Sequence, residues 1–372
     1  MTRRADVLIV GAGMAGASLA AEIAGQASVI VLEAEDQPGY HSTGRSAAFW
    51  AESYGGPLVQ PLTSASGRFL AQPPDGFAER PFLTGRGAIH LADSEGRGVL
   101  AALAARFAGS PVPLVEMDRG ALARAIPGLR PGWEWGLDEP SCADIDVAGL
   151  HAAYLGLARR RGATLVPAAR VAQAERQRSA WRVQTGSEKF EADILVNASG
   201  AWADQVALLA GEQPVGIQPF RRTLAQLRID PPAAPDLPLV IDALQRFYFK
   251  PDAGGRLWLS PHDESACDPC DCAPEEFDVA LAIDRLQHAV DWRVERVERS
   301  WAGLRSFAPD RLPVYGFSDS GRSFFWFAGQ GGFGIQTAPA AAKLAAALLL
   351  RREPEALVAH IDPTPYLATR FV

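Results

Sequence analysis

Three glycines and one acidic residue near the N-terminus have the spacing of a phosphate-binding turn. Gly11, Gly13 and Gly16 directly follow the apolar run 5–10, and an alanine-rich helical segment continues from them. The first glycine permits a tight turn, the second lets the backbone approach a pyrophosphate, and the third lets helix and strand pack closely. Glu33, after a second apolar run, can accept hydrogen bonds from an adenosine ribose. The pattern predicts a bound dinucleotide, and by itself it does not separate NAD from FAD.

Three arginines and a tyrosine in the second half of the chain are candidates for a binding site. Arg305 lies in the apolar segment 301–307, so it requires an anion, either a ligand or the acid of a structural salt bridge. Arg221 and Arg222 are adjacent on a predicted strand and should face opposite ways, one toward a site and the other toward solvent or a cofactor. Tyr248 lies between two phenylalanines and would be unremarkable as a core aromatic residue.

Three further glycine-bearing segments are placed to contact a cofactor. The polar segment 39–48 follows the acidic residue closely and can run beside a second part of the cofactor, or it is a surface loop. Gly200 follows the buried strand predicted over 192–198, in a turn suited to closing over a dinucleotide. The loop 329–334 precedes a helix predicted over 335–350 and presents backbone N–H groups to an anion, or it is a tight packing turn.

The composition of the chain limits the classes of function that it can have. The chain has 372 residues, a net charge of −7 and only four cysteines, so it is long enough for two or three domains and needs no disulfide framework. Negative net charge argues against general binding to nucleic acid. We find no segment apolar enough to span a bilayer and no convincing export signal, so we expect a cytoplasmic protein without a transmembrane segment.

The elements indicate an α/β fold with an inserted β-rich part. Strands that end in glycine turns alternate with helices in most of the chain. Residues 80–140 and 215–300 are richer in proline, aromatic residues and alternating apolar positions, as in an antiparallel sheet. This organisation predicts one inserted domain that faces a dinucleotide-binding domain.

Nine sequence stretches together resemble the FAD-dependent D-amino-acid oxidase and dehydrogenase family, and within it the bacterial D-arginine dehydrogenases. The stretches run nearly from end to end: ADVLIVGAGMAGAS, QPGYHSTGRSAA, YG at 54–55, ADIDVAGLH, ILVNASGAWAD, QPFRR, FYFKPD, SWAGLRSF and GQGGFGIQT. The resemblance implies a Rossmann-like FAD-binding domain interleaved with an antiparallel-sheet substrate domain. The expected FAD-binding segments are 1–79, 141–214 and 301–372, and the expected substrate segments are 80–140 and 215–300.

The resemblance also implies the residues of both sites. The cofactor positions are Gly11, Gly13, Gly16, Glu33, His41, Ser42, Thr43, Arg45, Ser46, Ala47, Val171, Gly303, Arg305, Gly331, Gly332, Phe333, Gly334, Ile335 and Thr337, to which the sequence pattern adds Gly200. Arg222, Arg305 and Tyr248 would hold the substrate carboxylate, and Tyr54 would form a lid. A guanidinium group offers the bidentate fork that matches a carboxylate.

The implied reaction is oxidation of an α-amino acid to the imino acid by hydride transfer to flavin N5, followed by hydrolysis to the 2-oxo acid. The electron acceptor, oxygen or a quinone-like carrier, stays open. Other functions also stay open: a 2-hydroxy-acid dehydrogenase, a sarcosine- or glycine-type amine oxidase, or a FAD-bearing subunit without turnover.

Two departures from the arginine-specific relatives bear on the substrate. Their pocket acid falls on Ala88 here, and a histidine near the flavin falls on Phe49. Because both changes remove polarity, we expect a neutral or apolar D-amino acid.

We interpret the remaining cysteines and histidines as structural residues and not as a metal site or catalysts. Cys267, Cys270 and Cys272 crowd one loop without a second ligand pair, so we predict no metal site there. His90, His151, His288 and His360 are expected to be surface or core residues, and no Ser/His/Asp arrangement or carboxylate pair is recognised.

Overall fold

The computed structural model describes residues 2–177, 179–186, 188–318, 321 and 323–371, which include every predicted site residue. Its strands are β1 Thr2–Val10, β2 Val29–Leu32, β3 Phe49–Trp50, β4 Leu83–Gly85, β5 Ala88–Ala92, β6 Val115–Met117, β7 Trp135–Glu139, β8 Ala143–Ile145, β9 Thr164–Val166, β10 Gln173–Gln177, β11 Ala180–Gln184, β12 Lys189–Asn197, β13 Gln218–Asp230, β14 Leu239–Asp242, β15 Tyr248–Asp252, β16 Arg256–Ser260, β17 Ser265–Ala266, β18 Arg293–Phe307, β19 Val314–Phe317, β20 Phe324–Ala328 and β21 Gln330–Gly331. Its α-helices are α1 Met14–Ile23, α2 Gln60–Ala71, α3 Arg97–Phe107, α4 Arg119–Ala125, α5 Val147–Arg160, α6 Ala203–Leu209, α7 Glu276–Ala289 and α8 Ala338–Leu350.

The first sheet carries the predicted phosphate turn. Its strand order is β10-β11-β12-β1-β2-β9, and β20 also pairs with β12 and with β19. β1 runs parallel to both β2 and β12, so the carboxyl ends of these strands meet at one edge. Helices α1, α5 and α8 bury their apolar faces against one side of this sheet. A second apolar core, which includes residues of α6, covers the other side. Burial on both faces explains why the strands read as continuous apolar runs.

The second sheet forms the wall opposite the first. Its strand order is β21-β18-β13-β16-β15-β14-β5-β7-β6. Neighbouring strands are antiparallel except β5 and β14, which pair in parallel within the described chain. Helices α4 and α7 cover one face with an apolar core, and the other face is left to line a cavity.

The two sheets are interleaved along the chain, as the fold class requires. β5–β7 and β13–β17 lie in the predicted substrate segments, but β18 crosses the expected boundary at 300/301. The ladder between β18 and β13 continues across that position, where Leu224 pairs with Trp301 and Ala225 pairs with Ser300. β4 instead joins a small third sheet with β3 and β8. The segment boundaries therefore stay a prediction.

No helix in the described part of the chain is both long and apolar enough to cross a membrane.

Helix α8 begins at Ala338, with Pro339 in its first turn, and not at 335 as the alanine-rich pattern predicts. Residues 333–337 form the turn before it, with Phe333 O accepting a hydrogen bond from Thr337 N.

Candidate functional site

One cavity of about 1030 Å³ lies between the two sheets, lined by residues from both. Of the predicted site residues, it is lined by Gly11, Gly13, Glu33, His41, Ser42, Thr43, Arg45, Ser46, Ala47, Tyr54, Val171, Gly200, Arg222, Tyr248, Gly303, Arg305, Gly331, Gly332, Phe333, Gly334 and Ile335. Gly16 and Thr337 do not line it. The cavity is large enough for a dinucleotide and a small second ligand together.

The glycines of the first turn leave no room for side chains. Gly11 has φ of +102°, and a Cβ there would lie 2.4 Å from the carbonyl oxygen of Ala198. A Cβ on Gly16 would lie 1.8 Å from the carbonyl oxygen of Gly11. Gly16 therefore allows α1 to pack closely against the turn, and its assignment as a cofactor position stays a prediction.

The turn presents the N-terminus of α1 to the cavity. Gly13 provides no side-chain cap, and Met14 N donates to Thr43 Oγ1 at 3.0 Å. Glu33 accepts hydrogen bonds from Ala12 N and Glu35 N, at 2.9 and 3.0 Å. The acid is thus tied to the turn, with its carboxylate on the cavity wall. The cradle fits a pyrophosphate and its adjoining ribose.

Residues 41–47 join the two sheets across the cavity. Ser42 Oγ donates to the carbonyl oxygen of Leu304 at 2.6 Å, and Arg45 donates to that of Ala302 at 3.1 Å, both on β18. Arg45 also forms an ion pair with Asp271 and donates to the carbonyl oxygen of Cys272. The cysteine-bearing loop therefore fastens this segment, and its three cysteines are free thiols.

The loop before α8 packs tightly against the end of the cavity that holds the predicted carboxylate-binding residues. A Cβ on Gly332 would lie 2.0 Å from Tyr54 Oη and 2.9 Å from Arg305 Cδ. Thr337 is fully buried at the start of the helix, where its hydroxyl donates to Phe333 O at 2.9 Å. The Thr337 hydroxyl is thus already used inside the turn, and its contact with the cofactor stays a prediction.

The predicted carboxylate-binding residues converge on one end of the cavity. Arg305 donates to Tyr54 Oη at 2.8 Å. Arg222 lies 5.9 Å from the ring centre of Tyr248 and donates to the carbonyl oxygen of Asp263 at 2.7 Å. Burial raises the pKa of both tyrosines, against the opposing effect of Arg222, so both hydroxyls stay protonated near neutral pH.

The anion that Arg305 requires is present in the chain. Glu264 Oε1 accepts from Arg305 at 2.6 Å and from Arg311 at 2.8 Å, and it lies 3.7 Å from Arg222. Sequence reasoning missed Glu264 because nothing local marks a carboxylate whose partners are distant along the chain. Arg221 points the other way, as predicted, and pairs with acids that include Asp278 at 2.9 Å.

Two buried nitrogen atoms at this end have no hydrogen-bond partner among the described residues, Arg305 Nε and His262 Nδ1. His262 lies edge-on to Tyr248, with ring centres 5.2 Å apart. Burial, reinforced by Arg222, holds the pKa of His262 well below its usual range, so the imidazole is neutral. This end of the cavity therefore has two nitrogen atoms without a described partner, one of them in the Arg305 guanidinium group itself.

A Ser/His/Glu cluster that the sequence did not reveal lies on the same cavity. Ser53 and His90 line the cavity, and the fully buried Glu139 lies behind them, with Oε2 at 2.9 Å from His90 Nε2. His90 is thus a buried core residue, as expected, but the sequence did not reveal its polar partners. The signal was missed because the three residues come from separate elements.

His151, also buried, lies under the phosphate turn, 2.8 Å from Ala12 O.

Comparisons with known proteins agree with this geometry. The sequence profile described as FAD dependent oxidoreductase matches residues 6–348. The chain is 26% identical to the glycine oxidase of Geobacillus kaustophilus, over 100% of this chain and 98% of that protein. It is 23% identical to the hydrogen cyanide synthase subunit HcnC of Pseudomonas aeruginosa, over 100% and 97%.

Solved structures show the same fold. The crystal structure of the Geobacillus kaustophilus glycine oxidase superposes with a TM-score of 0.86 at 24% identity, covering 100% of both chains. That of L-proline dehydrogenase from P. horikoshii has a TM-score of 0.83 at 19% identity, covering 98% of each chain.

Proposed function

We propose that this chain, which belongs to the family of FAD dependent oxidoreductases, oxidises the Cα–N bond of a neutral or apolar D-amino acid. The imino acid produced would be hydrolysed by water to the 2-oxo acid. The observation that carries the proposal is the position of Arg305, Arg222, Tyr54 and Tyr248 at one end of the cavity that also holds the phosphate turn.

FAD is the cofactor, and the residues fit it. The side-chain-free turn at Gly11 and Gly13, the N-terminus of α1 and Glu33 would hold its adenosine diphosphate half. Residues 41–47 and 331–335 line the rest of the cavity. When bound, FAD supplies a two-electron acceptor for amine oxidation.

The chain's own residues would bind and orient the substrate. Glu264 already shows that Arg305 can bind a carboxylate at hydrogen-bonding distance. We propose that a substrate carboxylate binds in its place, between Arg305 and Arg222, with Tyr54 and Tyr248 donating further hydrogen bonds. Fixing the carboxylate in this way would hold the Cα–H bond in one orientation, which is the main contribution of a protein to such a reaction.

The cavity wall favours a substrate without a basic side chain. Phe49 lines the cavity, with its ring centre 5.5 Å from that of Tyr54 and 6.1 Å from that of Tyr248. Ala88 is fully buried and offers no carboxylate. The D configuration of the substrate and the likeness to D-arginine dehydrogenases rest on the sequence resemblance.

A location in the cytoplasm rests on composition and stays part of the proposal.

A second candidate follows from the names of the relatives. Besides the glycine oxidase, the human mitochondrial dimethylglycine dehydrogenase is 26% identical over 62% of this chain, which spans only 29% of that protein. We therefore keep oxidation of glycine or an N-methylglycine as the alternative reaction of the same site.

An anaerobic panel of substrates tests both candidates. Loss of flavin absorbance at about 450 nm would be followed with D- and L-alanine, D-leucine, glycine, sarcosine and lactate. We expect D-leucine and D-alanine to bleach the flavin fastest. Fastest bleaching by glycine or sarcosine would select the alternative, and bleaching by none would leave a FAD-bearing subunit. Oxygen or a quinone added afterwards identifies the electron acceptor.

A further inference from the structure

We call Ser53, His90 and Glu139 the distal cluster. Ser53 and His90 line the cavity, and Glu139 lies behind them. His90 on β5 pairs with Ile241 on β14, and Ile241 pairs with Tyr248 on β15. Residues paired across neighbouring strands project from the same face of a sheet. Because neighbouring strands lie about 4.8 Å apart, His90 is about 10 Å from Tyr248 along this row.

The bonding inside the distal cluster leaves one atom of His90 free. Glu139 is fully buried and accepts from Ser53 N at 3.0 Å, from Ser53 Oγ and from His90 Nε2 at 2.9 Å. His90 Nδ1 makes no hydrogen bond with any residue that the structure describes. Ser53 and His90 line the cavity, whereas Glu139 does not.

Glu139 is ionised and its hydrogen bonds are already used. Burial alone would raise the pKa of this carboxyl, but the hydrogen bonds from His90 and Ser53 outweigh burial and lower it. Glu139 pairs directly with Ala88 across β5 and β7. A carboxylate therefore does lie beside the position at which the arginine-specific relatives carry their pocket acid, but His90 and Ser53 separate it from the cavity.

We propose that His90, held in place by Glu139, binds the far end of the substrate side chain when that end is an amide. This inference rests on the proposed function and narrows its substrate class. A substrate whose carboxylate lies at Arg305 and Tyr248 can extend its side chain past Ile241 toward the imidazole. Nδ1 can accept from the N–H of an amide or, when protonated, donate to its C=O.

A purely apolar side chain of the same length is bound less well at this position. It would remove water from His90 Nδ1 without replacing the lost hydrogen bond, and an unsatisfied buried polar group is costly. Glu139 is thus a positioning residue, which fixes the ring through Nε2, and His90 determines specificity.

The test compares D-glutamine with D-homoleucine (2-amino-5-methylhexanoic acid), which has the same shape but carries methyl groups in place of the amide atoms. On the unmodified enzyme we expect kcat/KM for D-glutamine to be about tenfold higher than for D-homoleucine, a ratio that one hydrogen bond can supply. A ratio of one or below overturns the inference without the need for any variant.

The double variant His90→Leu/Glu139→Gln provides the second measurement. Both members of the hydrogen-bonded pair are replaced together, so no unpaired carboxylate is left in the core. We expect the ratio to fall about tenfold, to one or below. A general loss of stability would lower both rates and leave the ratio unchanged, and an unchanged ratio in a variant that retains FAD overturns the inference.

D-Alanine separates this inference from the proposed function, because its side chain is too short to reach His90. If the unmodified enzyme oxidises D-alanine but shows no preference for D-glutamine, only the inference fails. If it oxidises none of the three D-amino acids, the proposed function fails and the inference fails with it.

Discussion

At the scale of single residues, Glu264 determines the state of the carboxylate-binding end. Its Oε1 atom lies within 4 Å of three arginines, Arg305, Arg311 and Arg222, with distances of 2.6, 2.8 and 3.7 Å. A substrate carboxylate that binds Arg305 must compete with this internal carboxylate. Because the Glu264 side chain is 35% exposed, solvent screens the ion pair and the competition is modest.

Replacing Glu264 with glutamine should therefore improve substrate binding. We expect Glu264→Gln to lower KM about two- to fivefold with a smaller change in kcat, since a partly exposed ion pair contributes about 0.2–1 kcal/mol. Steady-state kinetics with the best substrate of the panel measures this effect. Glu275→Gln is the matched control, because Glu275 pairs with Arg221 outside the cavity. An increase in KM for Glu264→Gln would mean that Glu264 assists binding.

Arg305 should contribute more than any other residue to substrate binding. Arg305→Ala is expected to cost about 2–5 kcal/mol in kcat/KM, because the substrate carboxylate would be desolvated without its partner. FAD content should stay near that of the unmodified protein. Arg293→Ala, an exposed arginine on the same strand, is the control. Unchanged kcat/KM in Arg305→Ala would show that the ion pair with Glu264 is purely structural.

Sequence can reveal a residue of this site only when the pattern that marks it is local in the chain. Gly11, Gly13 and Glu33 follow from a fixed spacing, because one turn and one strand place all three. Glu139 and His90 meet only because β5 and β7 are neighbours in the sheet, and no spacing along the chain encodes that pairing.

At the scale of elements, the loop between β21 and α8 positions two of the predicted substrate residues because Gly332 has no side chain. The space that a Cβ on Gly332 would fill is taken by Tyr54 Oη, 2.0 Å from the Cβ position, and by Arg305 Cδ at 2.9 Å. Backbone and side chains from three separate parts of the chain therefore meet at this point. Short strands such as Phe324–Ala328 follow from sequence alone, but this convergence depends on how the elements pack.

Gly332→Ala should consequently displace Tyr54 and Arg305 while leaving the phosphate turn intact. We expect kcat/KM to fall at least about tenfold, since small displacements of positioning groups are costly in rate, and FAD to remain bound. Flavin content and steady-state rates measure the two effects separately. Gly85→Ala is the control, because a Cβ at Gly85 meets nothing within 4 Å. Normal kinetics in Gly332→Ala would place the substrate elsewhere in the cavity.

At the scale of the whole molecule, the cavity exists only where the two sheets face each other. Sequence predicted both sheets, because each has its own periodicity, apolar runs in one and alternation in the other. The register of β18 on β13 was not predictable, and it carries Arg305 and Gly303 to the cavity from a strand that crosses the expected boundary. A ligand that fills the cavity therefore contacts both sheets and should stabilise them together.

Removal of FAD should lower the stability of the whole protein, and its return should restore it. Acid precipitation should release the yellow cofactor into the supernatant, because no cysteine or histidine in the sequence is assigned as a point of covalent attachment. At free FAD one hundred times its Kd, binding adds about 2.7 kcal/mol to the free energy of unfolding, which a thermal melt detects as a rise in Tm. Riboflavin is the control: it lacks the pyrophosphate and adenosine that Gly11, Gly13 and Glu33 are placed to bind, so it should not raise Tm at the same concentration. Equal stabilisation by riboflavin would show that the phosphate turn contributes nothing, and a protein that gains no flavin spectrum with added FAD would contradict the fit of the cofactor to this cavity.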